Sequence, residues 1–292
     1  MLDKTLNIKG NLVSLATPLV MGILNVTPDS FYAGSRKQTE SAITERIETI
    51  LNEGGDLIDV GGYSSRPDAA EVTPAEEMER LTGALKILNR HYPEVAVSVD
   101  TFRAEIARTC VDTYGVALIN DISAGELDKT MFSVVAELKV PYCMMHMRGT
   151  PQTMQQQTDY ADLLGEIVAY FSRKVEQLRL MGVNDIILDP GFGFSKTTDQ
   201  NYELMSRLRE LALFELPLLV GVSRKSMIYK FLGGSPEQSL NGTTVLHAFA
   251  LLNGANILRV HDVKAAVEAV KMICKLTEQD RPATLAPIVR SN

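Results

Sequence analysis

The chain has no tryptophan, and aromatic residues make up only 6% of its 292 positions. A core of that composition is aliphatic, as in parallel sheets buried on both faces. Cysteine is scarce too: Cys110, Cys143 and Cys274 are odd in number, far apart and never arranged as C-x-x-C. That pattern speaks against a disulfide framework and a cysteine zinc site, and it points to the reducing cytoplasm. There is no basic excess. The formal net charge of −7 argues against broad contact with nucleic acid or an anionic membrane, so any basic cluster is expected to serve a small anion. The uncharged stretch between Lys9 and Asp29 is interrupted by Asn11, Ser14, Thr17, Pro18, Gly22 and Asn25 and has no small-residue cleavage site, so it reads neither as a leader nor as a membrane span. Nucleotide signatures are missing as well. No G-x-G-x-x-G follows the first apolar run and no P-loop occurs; Gly191-Phe192-Gly193-Phe194-Ser195-Lys196 is only a superficial look-alike.

What is present is a repeating grammar of short apolar runs that end in polar residues. Eight runs stand out, at 19–26, 56–62, 96–101, 117–123, 142–147, 185–191, 218–222 and 257–261. Their starts lie roughly 20 to 45 residues apart, the spacing of strand–helix units. Helical patterns fill the gaps. Ile43, Ile47, Ile50 and Leu51 share a face that stops at Gly54-Gly55, and Thr73-Pro74-Ala75-Glu76 is a capping box with proline in the first turn. The longest pattern runs from about Asp159 to Met181, and the last from Val263 to about Leu276. Eight alternations predict a single (β/α)8 barrel over 19–277, preceded by a hairpin over 1–18 that turns around Gly10-Asn11 and followed by a loose tail over 278–292. A doubly wound sheet is the competing arrangement, and the missing glycine motif speaks against it.

In a barrel the chemistry gathers where the strands end, and these ends are polar. They hold Asn25, Ser64-Ser65-Arg66-Pro67, Asp100-Thr101, Asn120-Asp121, His146 with Arg148, Asp189, Ser223-Arg224-Lys225-Ser226 and Arg259-Val260-His261-Asp262. Any one of them could be a helix cap; eight converging on one rim could not. Asp100, Asn120 and Asp189 form an acceptor-rich half suited to a flat heterocycle bearing several N–H donors. Lys225, Ser226, Arg259 and His261 form a basic half at the corner between the seventh and eighth runs, where an anion such as phosphate is expected. Asn25, opposite, could offer an oxygen to a Mg²⁺ ion bridging a diphosphate. His146 reads as a rim residue, His91 and His247 as structural, and Met144, Met145 and Met147 as core or pocket wall.

Seven motifs in order make a resemblance visible: Gly22-Ile23-Leu24-Asn25-Val26-Thr27-Pro28-Asp29-Ser30-Phe31, Gly61-Gly62-x-Ser64-x-Arg66-Pro67, Ser98-Val99-Asp100-Thr101, Ile119-Asn120-Asp121, Asp189-Pro190-Gly191-Phe192-Gly193-Phe194, Gly221-x-Ser223-Arg224-Lys225-Ser226 and Arg259-Val260-His261-Asp262. From about Gly22 to Val263 the chain closely resembles the dihydropteroate synthases, folate-pathway enzymes inhibited by sulfonamides. The resemblance implies condensation of 6-hydroxymethyl-7,8-dihydropterin diphosphate with 4-aminobenzoate, by way of a carbocation-like pterin. It implies Mg²⁺ on Asn25, and the pterin on Asp100, Asn120 and Asp189 with Lys225 reaching it too. Arg259 and His261 would hold the diphosphate with Ser65 near, and Phe31, Arg66, Pro67, Phe194, Lys225 and Ser226 would shape the aminobenzoate pocket. Lys225, Arg259, His261 and Asp100 are then the expected catalytic residues, and the expected partners are those two small molecules and a second copy of the chain, packed through the last two helices.

The chain departs from the family pattern at Tyr63, where glutamate is commoner, and at Ser65, where threonine is. It differs also in Tyr32-Ala33-Gly34-Ser35 and Asp68-Ala69, which touches loop detail and inhibitor sensitivity rather than the reaction. Two other functions share the slot. A pterin-binding methyltransferase serving a corrinoid protein would not need Lys225, Arg259 and His261, and a non-catalytic paralogue would show damaged anion or loop motifs.

Overall fold

A computed structural model describes residues 4–27, 36–63 and 72–279 of the chain. It opens with an antiparallel hairpin, β1 (Thr5–Ile8) and β2 (Asn11–Ser14). The turn lies one residue earlier than the sequence suggested. Lys9 and Gly10 take it, with φ of 50° and 82°, and Asn11 already pairs with Ile8. Two successive positive φ values are what a two-residue hairpin turn of type I′ requires.

Eight parallel strands follow: β3 (Leu19–Asn25), β4 (Leu57–Gly61), β5 (Ala96–Asp100), β6 (Leu118–Asp121), β7 (Tyr142–Met145), β8 (Ile186–Asp189), β9 (Leu219–Val220) and β10 (Ile257–Val260). Their order is β8-β7-β6-β5-β4-β3-β10-β9, and a parallel bridge between Leu188 and Leu218 joins the two ends into a barrel. The helices are α1 (Arg36–Asn52), α2 (Pro74–His91), α3 (Ala104–Tyr114), α4 (Met131–Leu138), α5 (Leu163–Leu180), α6 (Thr198–Ser206), α7 (Ser226–Leu232), α8 (Leu240–Leu252) and α9 (Val263–Gln279). The box at Thr73 and Glu76 forms at the start of α2. Helix α5 starts later than the pattern implied, because the Asp162 side chain accepts from the Gly165 amide and fixes the cap there.

The period of two along each strand sorts the barrel into layers. Outward residues such as Val60, Val99, Ile119, Leu188, Val220 and Leu258 pack against the helices in the main core. Inward residues at the lower end, among them Leu57, Leu118, Cys143, Ile187, Leu219 and Ile257, are covered by Leu6, Ile8 and Leu15 of the hairpin segment. The hairpin is therefore the plug of the barrel floor. Two positions further up, most of the inward residues are polar or glycine, with Ile23 and Met145 the apolar exceptions.

Candidate active site

The polar layer is the next turn of the same alternation. Above Leu57 stand Asp59 and Gly61; above Ala96, Ser98 and Asp100; above Leu118, Asn120; above Ile187, Asp189; above Ile257, Arg259. Register aligns part of the rim in one row, since Asn25 pairs with Gly61, Gly61 with Asp100 and Asp100 with Asn120. Gly61 is open ground between two functional side chains: a Cβ there would lie 3.2 Å from Asn25 Oδ1 and 3.7 Å from Asp100 Cβ.

Arg259 is the hub. Its Nε donates to Asp59 Oδ2 at 2.6 Å and its Nη2 to Asp100 Oδ2 at 2.8 Å. Asn120 Nδ2 donates to the same Asp59 oxygen at 3.2 Å. Lys225 reaches in from the β9–α7 loop. Its Nζ donates to the Phe192 carbonyl at 2.5 Å and stands 4.6 Å from the centre of the Phe194 ring. A Cβ at Gly221 would touch both Arg259 and Lys225 Nζ, so the two cations flank that residue. Asp189 Oδ1 accepts from the Gly191 amide at 2.8 Å. His261 stands exposed at the rim, two residues above Arg259, with its backbone N–H 3.1 Å and its ring Nδ1 3.3 Å from Ser223 Oγ. Beside this polar floor Ile122, Met145, Met147 and Met154 make an apolar shelf, with Phe102, Leu127 and Phe194 against it, a wall for a flat ring.

Crowding charges away from water tunes them. Burial raises the pKa of the Asp100 carboxyl; Arg259 pulls it back, and Asp59 adds to the rise. Burial raises Asp189 as well, against the pull of Lys225. Burial works against the Arg259 charge, yet Asp59 and Asp100 outweigh it and its pKa rises. Lys225 is brought down to about 8 by burial, although Asp189 opposes the change. At His261 the surrounding protein disfavours the charged ring, and Arg259, Arg46 and Arg224 depress its pKa further.

With this geometry in place the relatives are informative. A family profile described as Pterin binding enzyme matches residues 21–261. The dihydropteroate synthase of Escherichia coli K12 is 40% identical over 267 residues, covering 91% of this chain and 94% of that one. The chain belongs to the dihydropteroate synthase family of pterin-binding enzymes. Among solved structures, the Xanthomonas albilineans dihydropteroate synthase with 4-aminobenzoic acid aligns at 35% identity with a TM-score of 0.87, over 96% of this chain and 100% of that one. The Yersinia pestis dihydropteroate synthase in a sulfonamide complex aligns at 39% identity with a TM-score of 0.85, over 95% and 100% of the two chains.

Against the motif reading, the structure brings Asp100, Asn120, Asp189, Lys225, Arg259, His261, Phe194 and Asn25 to one mouth, with Ser226 opening α7 beside Lys225. Phe31, Ser65, Arg66 and Pro67 lie outside the described residues. Asn25 is not opposite the basic corner: β3 pairs with β10, so it stands beside that corner. Nor are the two halves separate, because Arg259 is ion-paired to both Asp59 and Asp100. Four rim candidates turn away. Asp121 faces the helices, accepting from Tyr142 and from the Ser123 and Gly125 amides. Arg148 pairs with Glu166 and stacks over Tyr160, and Arg224 pairs with Asp262. His146 is buried, its Nδ1 3.1 Å from the Lys196 ammonium.

Asp59 is the site residue that motif reasoning missed. A signal was available, since an aspartate in the middle of Leu57-Ile58-Asp59-Val60 needs a buried partner. What was not available is that the partner sits 200 positions further along the chain.

Proposed function

We propose that these residues divide the dihydropteroate synthase reaction between a pterin slot and an anion corner. The chain condenses a dihydropterin diphosphate with 4-aminobenzoate, as its family does. Asp100, Asn120 and Asp189 offer acceptors to the donor edge of the pterin, and the methionine shelf covers its face. Lys225 and Arg259 concentrate positive charge where the departing diphosphate gathers its negative charge, with the neutral His261 ring beside them as a hydrogen-bond donor, which favours the transition state over the bound substrate. An arylamine is already a nucleophile, so holding it in line with the methylene carbon supplies rate without a strong base. One observation supports this division above the others: Arg259 bonds to the acidic floor while flanking Lys225, so one guanidinium borders both substrate halves.

The donor set fits Mg²⁺ in one way only. Among the described residues no group of three His, Cys, Asp or Glu side chains could hold a metal, but the Asn25 amide oxygen faces Asp100 across the open Gly61 position. Hard oxygens in that number suit an ion whose remaining ligands are phosphate oxygens and water. When bound, the ion would neutralise charge on the leaving diphosphate.

The chain is further proposed to work in the cytoplasm as a homodimer, free of membrane and nucleic acid. Cys110, Cys143 and Cys274 are all unpaired thiols, and among the described residues no helix is long and apolar enough to cross a membrane. Phe231 on α7, Val245 and Phe249 on α8, and Met272 and Leu276 on α9 are exposed apolar side chains. The deciding experiment for the activity is incubation with 6-hydroxymethyl-7,8-dihydropterin diphosphate, 4-aminobenzoate and Mg²⁺. Dihydropteroate and diphosphate should appear in equal amounts; saturable pterin binding without product would reduce the chain to a binding protein.

A further inference from the structure

Lys196 is fully enclosed, and its ammonium meets three acceptors: the Gly191 carbonyl at 3.0 Å, the Phe194 carbonyl at 3.1 Å and His146 Nδ1 at 3.1 Å. Burying an ammonium is costly, and a methionine of similar length would fill the same space without that cost. The three acceptors account for its protons. What they fasten is the turn after β8. Gly191 has φ of +73°, and a Cβ there would lie 2.0 Å from the His146 carbonyl oxygen, so the turn is pressed against the end of β7.

The same turn carries three site contacts. The Gly191 N–H donates to Asp189, the Phe192 carbonyl receives Lys225, and the Phe194 ring lies beside the Lys225 ammonium. The Gly193 amide is fastened from the other side by Asn201 Oδ1 at 2.6 Å. We propose that Lys196, braced by His146, is a positioning residue that sets Asp189, Phe194 and Lys225 in place before any substrate arrives. Burial brings the Lys196 pKa down to about 7, with Asp189 opposing and Lys225 and Arg148 assisting. Burial and Lys196 hold the His146 pKa well below its ordinary value, which keeps the ring neutral, and the Lys196 ammonium facing Nδ1 selects the tautomer in which that nitrogen accepts.

The assignment of the turn to substrate binding rests on the proposed function, so the test reads the turn first without substrate. Amide hydrogen exchange is followed over residues 189–196 in wild type, Lys196→Met, His146→Gln and His146→Leu. Lys196→Met should speed exchange there at least about tenfold, and His146→Leu should do so to a smaller degree. His146→Gln keeps an acceptor and should stay close to wild type. Binding of a dihydropterin lacking diphosphate is then measured by calorimetry, and Lys196→Met should weaken it at least about tenfold, with a rise in the KM for 4-aminobenzoate through the displaced Phe194. Unchanged exchange in Lys196→Met overturns the proposal, as does faster exchange with unchanged pterin affinity or equal behaviour of the two His146 variants. Should Lys196→Met fail to fold, the His146 pair decides. A wild type that binds pterin but makes no dihydropteroate contradicts the proposed function and leaves the positioning role standing on exchange and affinity.

Discussion

Arg259 Nε lies 2.6 Å from the Asp59 carboxylate, and that aspartate is wholly buried. Together with Asp100, this contact sets the direction of the guanidinium that borders both proposed substrate halves. Replacing Asp59 by asparagine keeps the shape and removes the charge. The lost charge-assisted hydrogen bond is worth about 1.5–3 kcal/mol, so kcat/KM for the pterin diphosphate should drop about tenfold or more. Asp59→Ala also removes the acceptor for Asn120. Breaking a buried pair costs about 3–5 kcal/mol, and because Asp100 still holds Arg259 the loss should fall at the low end. Urea unfolding measures that loss; Asp59→Asn turning over like wild type would show that Arg259 needs no brace.

The anion corner should lose its grip as the solution becomes alkaline. Burial places the Lys225 pKa at about 8. A bound anion favours the ammonium, so binding is supported below that pKa in the free protein and weakens as pH rises through it. The pH profile of kcat/KM should therefore fall on an alkaline limb near pH 8. Lys225→Arg stays charged well above this range, so whatever its absolute rate its limb near 8 should vanish. An unmoved limb in that variant would assign the titration elsewhere.

The barrel was readable because its evidence is periodic. Runs such as Ile257–Val260 between helical patterns, and the Thr73 cap, depend only on local spacing. The rim was readable for the same reason, since a polar residue at the end of an apolar run is a local signal, and seven family motifs put those ends in order. Pairing between segments far apart in sequence was not readable. Arg259 with Asp59 and Lys196 with His146 are contacts between distant segments, and neither residue type announces its partner. His146 shows the consequence: a histidine at a strand end reads as a rim group, whereas the odd and even positions of β7 send it outward to Lys196.

The plug below should carry stability and no chemistry. Leu6 and Ile8 are buried against Leu57, Leu118, Ile187 and Ile257 at the barrel floor. Truncating Leu6 to alanine leaves a cavity there, at a cost of about 2–5 kcal/mol. Thermal unfolding should register it, while pterin affinity measured well below the transition stays within twofold of wild type. A matching loss of affinity would mean that the floor shapes the mouth.

Acid should destabilise the fold through His247. Its ring is buried in α8, Nε2 has no hydrogen-bond partner among the described residues, and burial lowers its pKa to about 4. An unfolded histidine titrates near about 6.5. Between those two values the unfolded chain binds the extra proton, so stability is full above about 6.5 and is lost as pH falls towards 4. His247→Leu removes that group. Its urea midpoint should decline less between pH 7 and pH 5 than that of wild type, and parallel declines would clear His247 of the effect.

The association proposed for α7, α8 and α9 can be separated from the fold. Val245, Phe249 and Leu252 lie one turn apart along α8, and Val245 is 60% exposed. Apolar residues repeating on one exposed helix face are costly in water unless another surface covers them. A stable pair of chains buries roughly 1,200–2,000 Å². Sedimentation of wild type at micromolar concentration should give twice the chain mass, and Val245→Lys, placing a charge among the exposed apolar side chains of α8, should shift it to single chains. Because Val245 lies outside the mouth, the single chains should still bind pterin. A wild type that sediments as one chain would leave the apolar face without this explanation.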